Sequence, residues 1–192
     1  MLVKAIFLVV CLAVLLCDVR SARSHYQLGK NKATVTTGQH RCKNGRNSEV
    51  TLSVEAELHE KSNRRTNFGR SFNKRMKELN SIKGDHKGHI LASAFGGPAK
   101  NWNLAPQADN LNRKYRCRTS ILNVWYDCEK WILDQLKNKV DLPISVKVTL
   151  DYEDKNCRPT RWSIEARSKH RSGCEAKHVR NGGLPFGVCQ RA

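Results

Sequence analysis

The first seventeen residues, MLVKAIFLVVCLAVLLC, decide which kinds of fold the rest of the chain can use. Lys4 precedes an uninterrupted apolar run of thirteen residues, Ala5 to Cys17. A membrane-spanning helix needs about 20 such residues, so this run has instead the length and flanks of a secretory signal peptide. Cleavage after Ser21 sets Val19 and Ser21 at the small-residue positions and removes segment 1–21. Cys11 and Cys17 leave with it, and six of the eight cysteines remain: Cys42, Cys117, Cys128, Cys157, Cys174 and Cys189. In an oxidising compartment an even set of this kind reads as a disulfide framework of three bridges, with the pairing open. No C-x₂-C pair occurs, so a zinc site is the weaker reading. No later apolar stretch is long enough to span a membrane. The expectation is a soluble, secreted, extracellular protein.

A chain of 192 residues is expected to form one domain with appendages. Its 39% hydrophobic content is enough for a packed core and argues against wholesale disorder. Lys and Arg outnumber Asp and Glu by 35 to 17, a net charge of +18. Loss of Lys4, Asp18 and Arg20 with the leader changes this only to +17. Such a protein is drawn to polyanions: nucleic acid, anionic glycans or membrane surfaces.

Residues 22–48 form a basic N-terminal segment without clear periodicity. Residues 50–58 (VTLSVEAEL) alternate and predict a half-buried strand. Residues 61–77 hold seven basic residues and no acid, with Phe68 and Phe72 interleaved, a pattern suited to a phosphate-facing surface. Residues 120–137 place Ile121, Trp125, Cys128, Ile132 and Leu136 at helical spacing. Two alternating runs, 144–152 and 160–166, flank a turn and predict an antiparallel hairpin. The chain therefore reads as α+β: a single domain over 49–167 with an antiparallel sheet, followed by a basic, cysteine-containing tail over 168–192.

The stretch that carries chemistry is 84–113, GDHKGHILASAFGGPAKNWNLAPQADNLNR. His86 and His89 stand beside Asp85 and Lys87 and run into Ile90-Leu91. A Gly-Gly-Pro loop follows, then Asn101, Asn103, Asn110 and Asn112. A neutral histidine can take a proton from water near pH 7, and a hard divalent cation prefers oxygen ligands such as an asparagine amide.

These residues resemble the DNA/RNA non-specific endonucleases of the ββα-metal (His-Me finger) superfamily. The matching blocks are Asp85-His86-Lys87-Gly88-His89, Phe95-Gly96-Gly97, Asn103-Leu104-Ala105-Pro106-Gln107 and Asn110-Leu111-Asn112. Strong likeness covers about 30 residues, and a weaker one extends to Arg158-Pro159-Thr160-Arg161-Trp162. The resemblance implies a ββα-metal motif in which His89 is the general base and Asn112 is the direct protein ligand of a Mg²⁺ ion, with Mn²⁺ as a substitute. It implies that Asn103 orients His89 or the metal's water shell, and that the products carry 5′-phosphates.

Three positions depart from the pattern. Lys87 stands where many members have Arg, and keeps the charge without bidentate phosphate geometry. His86 replaces the Asp of the D-R-G-H form. Glu129, in the expected W-x-x-x-E arrangement with Trp125, lies 17 residues beyond Asn112, so the stretch around Cys117 is an insertion. Glu129 is a candidate for ordering a metal-bound water, against the alternative of a surface salt bridge. Arg64, Arg65, Arg70 and Arg75 before the motif, and Arg113, Lys114 and Arg116 after it, are candidate phosphate contacts that give affinity without sequence preference. The expected substrates are DNA and RNA, and no protein partner or membrane is implied after leader removal. The rival reading is a cationic nucleic-acid or heparin-binding protein without activity. A sequence-specific HNH enzyme lacks its recognition module here.

Overall fold

The computed structural model describes residues 21–112, 115–117, 124–170, 172–182 and 189–191. Six strands form one antiparallel sheet: β1 (Ser21–Leu28), β2 (Asn31–Arg41), β3 (Asn47–Leu58), β7 (Ile144–Asp151), β8 (Arg161–Arg167) and β9 (Gly173–Arg180), hydrogen-bonded in that order. The neighbours β3 and β7 are far apart in sequence. The excursion between them carries α1 (Asn73–Glu78), β4 (His86–His89), β5 (Leu104–Gln107), α2 (Asp109–Asn112), β6 (Tyr115–Cys117) and α3 (Val124–Asn138). Short β10 (Cys189–Arg191) pairs with β6.

Strand alternation sorts the two faces of the sheet. Val35, Val54, Val148, Ile164 and Ala176 stand opposite one another across five strands, and none is more than 3% exposed. The next register row, Thr34, Glu55, Lys147 and Glu165, points the other way, into water. Full burial of each large apolar side chain in the inner row contributes roughly 1.5–3 kcal/mol, enough to fix the register.

α3 covers the inner face. Trp125, Cys128, Ile132 and Leu136 recur every three to four residues and are all buried, as the helical pattern predicts. Trp125 meets the fully buried Trp162 of β8 edge-on, with ring centroids 5.6 Å apart. A Cys128–Cys174 disulfide bolts α3 to β9, and Cys42–Cys157 ties the end of β2 to the β7–β8 connection. Cys117 and Cys189 are direct Cα partners in the β6–β10 pair; their side chains are outside the described set.

The β7–β8 hairpin and the 50–58 strand match the sequence pattern. The sheet also recruits residues from outside 49–167. Residues 22–48, without periodicity, supply β1 and β2, and the tail supplies β9. β1 and β9 are edge strands whose side chains lie largely in solvent, so backbone pairing holds them and no apolar alternation is required. After the motif, α2 covers Asp109–Asn112 and Arg116 lies in strand β6.

Candidate active site

β4 and β5 form an antiparallel hairpin, joined by the long loop 90–103, in which His86 faces Gln107 and His89 faces Leu104. Gly88 is required by packing: a Cβ there would stand 2.5 Å from Gln107 Cβ. The loop between the strands is closed by Asn103, which is fully buried. Its Oδ1 accepts the Leu91 N–H at 2.7 Å, while Nδ2 donates to Leu91 O and Pro98 O, both at 3.0 Å. The Ile90 N–H, next to His89, donates to Asn103 O at 3.0 Å. Gly97 completes the closure, since a Cβ would come within 1.8 Å of Leu91 O. Asn103 therefore works as a brace. Its amide is spent on the Leu91 and Pro98 backbone, and Asn103 does not line the cavity into which His89 opens.

His89 ends β4 and opens into a cavity of about 630 Å³. A strap, residues 61–68, crosses above it. Thr66 Oγ1 donates to Gly97 O at 2.7 Å and lies 3.5 Å from His89 Nε2. The Phe68 ring packs against the imidazole with centroids 4.3 Å apart, and Phe72 meets Phe68 edge-on at 4.9 Å. This cover strips water from the imidazole and, with the nearby Arg65 charge, lowers its pKa to about 4 against the opposing pull of a hydrogen bond to the Thr66 backbone. His89 is thus neutral at pH 7, the form able to accept a proton.

The opposite wall comes from α3. Glu129 projects into the same cavity, and burial raises its pKa to about 7, partly offset by the Trp125 indole hydrogen bond. Lys87 and Gln107, from the hairpin, line the floor. The Lys87 ammonium donates to Gly69 O at 2.6 Å, which uses one of its three protons. Arg64 and Arg65 stand at the rim, exposed. The hairpin, α3 and the strap thus bring together His89, Glu129, Lys87, Arg64 and Arg65.

Other candidates have different fates. Arg75 donates to the Glu49 carbonyl and to Glu78 at 3.4 Å with only 16% of its side chain exposed, so it braces α1 against β3 and does not face phosphate. Arg70 is exposed beside the cavity and does not line it. Asn112 ends α2 with its side chain outside the described set, as is that of Arg116; Arg113 and Lys114 lie outside the described residues.

Several links between these residues escape a reading of the sequence. Asp85, at the head of the motif, forms a two-pronged ion pair with Arg158, at 2.8 and 2.7 Å, with 2% and 11% of the side chains exposed. Arg158 also donates to Asn181 O at 2.8 Å. Two blocks far apart in sequence, Asp85-to-His89 and Arg158-to-Trp162, therefore join in space. His86 pairs with Asp109 at 2.9 Å and ties β4 to the start of α2. Thr66 carries no distinguishing sequence signal, and Gln107 belongs to the Asn103-to-Gln107 block without a role assigned there; the fold brings both to the cavity of His89.

A distant likeness exists to a solved structure described as an extracellular endonuclease, at 14% identity and a TM-score of 0.48, covering 90% of this chain and 87% of that one. No curated protein matches the chain significantly. The model of the DNA/RNA non-specific endonuclease family matches residues 30–170, a span that contains the hairpin, the strap, α3 and the four central strands of the six-stranded sheet whole. By that match over most of its length, the chain belongs to the DNA/RNA non-specific endonuclease family.

Proposed function

We propose that this nuclease hydrolyses phosphodiester bonds of DNA and RNA with His89 as general base, a single Mg²⁺ ion as cofactor and 5′-phosphorylated products, and that it acts outside the cell after loss of residues 1–21. The observation that carries this reading is a neutral histidine, held by Phe68 and Thr66, in a cavity rimmed by the exposed cations Arg64 and Arg65.

The donor chemistry fits a hard cation. Glu129 and Gln107 bring oxygen atoms to the cavity, and a buried carboxyl whose ionisation is penalised gains from a nearby positive charge. Asn112, with Glu129 ordering a water, would hold the ion, which keeps most of its waters. When bound, Mg²⁺ supplies positive charge that offsets the negative charge growing on the phosphoryl oxygens.

The chain's own residues do the rest. His89 takes a proton from a water whose oxygen attacks phosphorus. The bond to the 3′-oxygen breaks, that oxygen takes a proton from solvent, and the phosphate stays on the 5′ side. Lys87, Arg64 and Arg65 hold the phosphate oxygens, and Phe68 keeps the imidazole dry and fixed. Purified mature protein should degrade plasmid DNA and RNA with Mg²⁺ or Mn²⁺ and stop in EDTA. His89→Ala should lower cleavage by about 10³-fold while DNA binding persists. An equally fast His89→Ala protein would remove the histidine from this role, and wild type that binds but never cuts would leave a binding protein.

A further inference from the structure

The strap has two sides, and only one faces His89. Ser62, Asn63, Arg64 and Thr66 also wall a second cavity of about 520 Å³, bounded elsewhere by Lys61 and Pro98. The strap between the two is pinned. The Ser62 N–H donates to Ala94 O at 2.8 Å, Thr66 Oγ1 donates to Gly97 O at 2.7 Å, and the Arg64 N–H closes a turn onto Ser62 Oγ at 3.2 Å. It is a ridge with a cavity, or lobe, on either side.

The second lobe is cationic. Lys61 and Arg64 are exposed and have no ion pair with any described residue. Glu60, which also lines it, is occupied by Lys30, whose ammonium lies 3.7 Å from one carboxylate oxygen and whose backbone N–H lies 3.4 Å from the other. The volume exceeds what a lone phosphate fills and falls in the range of small-ligand sites. An occupant that reaches both lobes has to be continuous across the ridge.

We propose that the second lobe is a subsite for a nucleotide adjoining the scissile bond: the polynucleotide crosses the ridge at Arg64, with the scissile phosphate beside His89 and a neighbouring phosphate beside Lys61. This rests on the nuclease reading and extends it from a reacting phosphate to a strand of defined path. Lys61 is then a binding residue for the flanking phosphate and has no part in the chemistry.

The test measures binding of a fluorescent twelve-nucleotide single strand to the folded His89→Ala protein. Adding Lys61→Glu should weaken binding about tenfold and lower the slope of log affinity against log salt by about one phosphate contact, while Lys61→Arg keeps both. Lys147→Glu makes the same charge change on the far face of the sheet and serves as the control. An equal loss with Lys147→Glu means that only the overall field matters, and no loss with Lys61→Glu means that the lobe is empty; either result overturns the subsite. Cleavage by wild type with Mg²⁺ decides the nuclease reading separately, since the binding measurement needs no turnover.

Discussion

The outer face of the sheet and the ground around His89 are both crowded with charge, but they handle it in opposite ways. On the outer face Glu55 receives Arg23 at 3.3 Å and Lys147 at 3.2 Å, Glu57 receives Lys32 at 4.0 Å, and Glu175 receives Lys177 at 2.9 Å. Arg167 reaches both Glu165 and Glu175. Over the site, Lys61, Arg64, Arg65 and Arg70 have no ion-pair partner among the described residues. The acids show the same contrast. Glu57 is held below the usual carboxylate range by its His59 hydrogen bond and Glu175 by Lys177, whereas burial lifts Glu129 to about 7. An even spread of the +18 charge would say little about partners. Within that charge, the exposed Lys61, Arg64, Arg65 and Arg70 near the dehydrated His89 are what the proposed nucleic-acid groove rests on.

The largest effect expected from disturbing this contrast lies beneath the site, in the buried pair of Asp85 and Arg158. Removing one partner leaves the other charge stranded in the interior, which typically costs about 3–5 kcal/mol. Asp85→Ala should lower the urea midpoint sharply and remove cleavage with it, because the 82–89 segment leading to His89 loses its anchor. On the outer face, Glu165→Ala should cost under about 1 kcal/mol, as solvated pairs do. Comparable losses for the two variants would mean that the buried pair is not the foundation of the hairpin.

The next effect is a pH dependence of opposite sign in the two site residues. With the His89 pKa near 4, the folded protein binds fewer protons than the unfolded chain between about 4 and 6.5. Its contribution to stability is present above that window and is lost as pH falls through it. Glu129 acts in reverse. With its pKa near 7, the folded protein keeps a proton that the unfolded chain releases, so stability falls as pH rises from about 4.5 to 7. In EDTA, Glu129→Gln should therefore gain stability over wild type at pH 8 compared with pH 4. Urea unfolding at both pH values reads this directly, and a constant offset would place the carboxyl in water.

Sequence legibility divides along the same line. β3, β7, β8 and α3 were readable because each buries one face, and burial writes a period of two or of three to four into the chain. β1 (SARSHYQL) buries almost nothing and β9 little, so neither carries that signal. In the site, the Asp85-to-His89 block and the position of Glu129 on its helix were visible as local patterns. What was not visible is which polar groups the fold consumes. Arg75 sits in the same basic run as Arg64 and Arg65, and no local feature shows that the Glu49 carbonyl and Glu78 take up its guanidinium. Asn103 looks like any other site asparagine until the Leu91 and Pro98 backbone is folded against it. Charge runs report composition; partners are a tertiary property.

The smallest effect is the most direct measure of that distinction. Arg65→Glu, at the rim of the groove, and Arg167→Glu, on the outer face, change the protein's net charge equally. If position matters, Arg65→Glu weakens oligonucleotide binding several-fold and flattens its salt dependence, because a phosphate contact and its released counterion are lost. Arg167→Glu breaks only exposed pairs with Glu165 and Glu175 and leaves affinity within about twofold at physiological salt, where charges beyond roughly 8 Å are screened. Titrating both in the His89→Ala background at two salt concentrations separates them. Matching affinities would show that the paired face attracts nucleic acid as well as the unpaired one does, and the groove would lose its claim to the substrate.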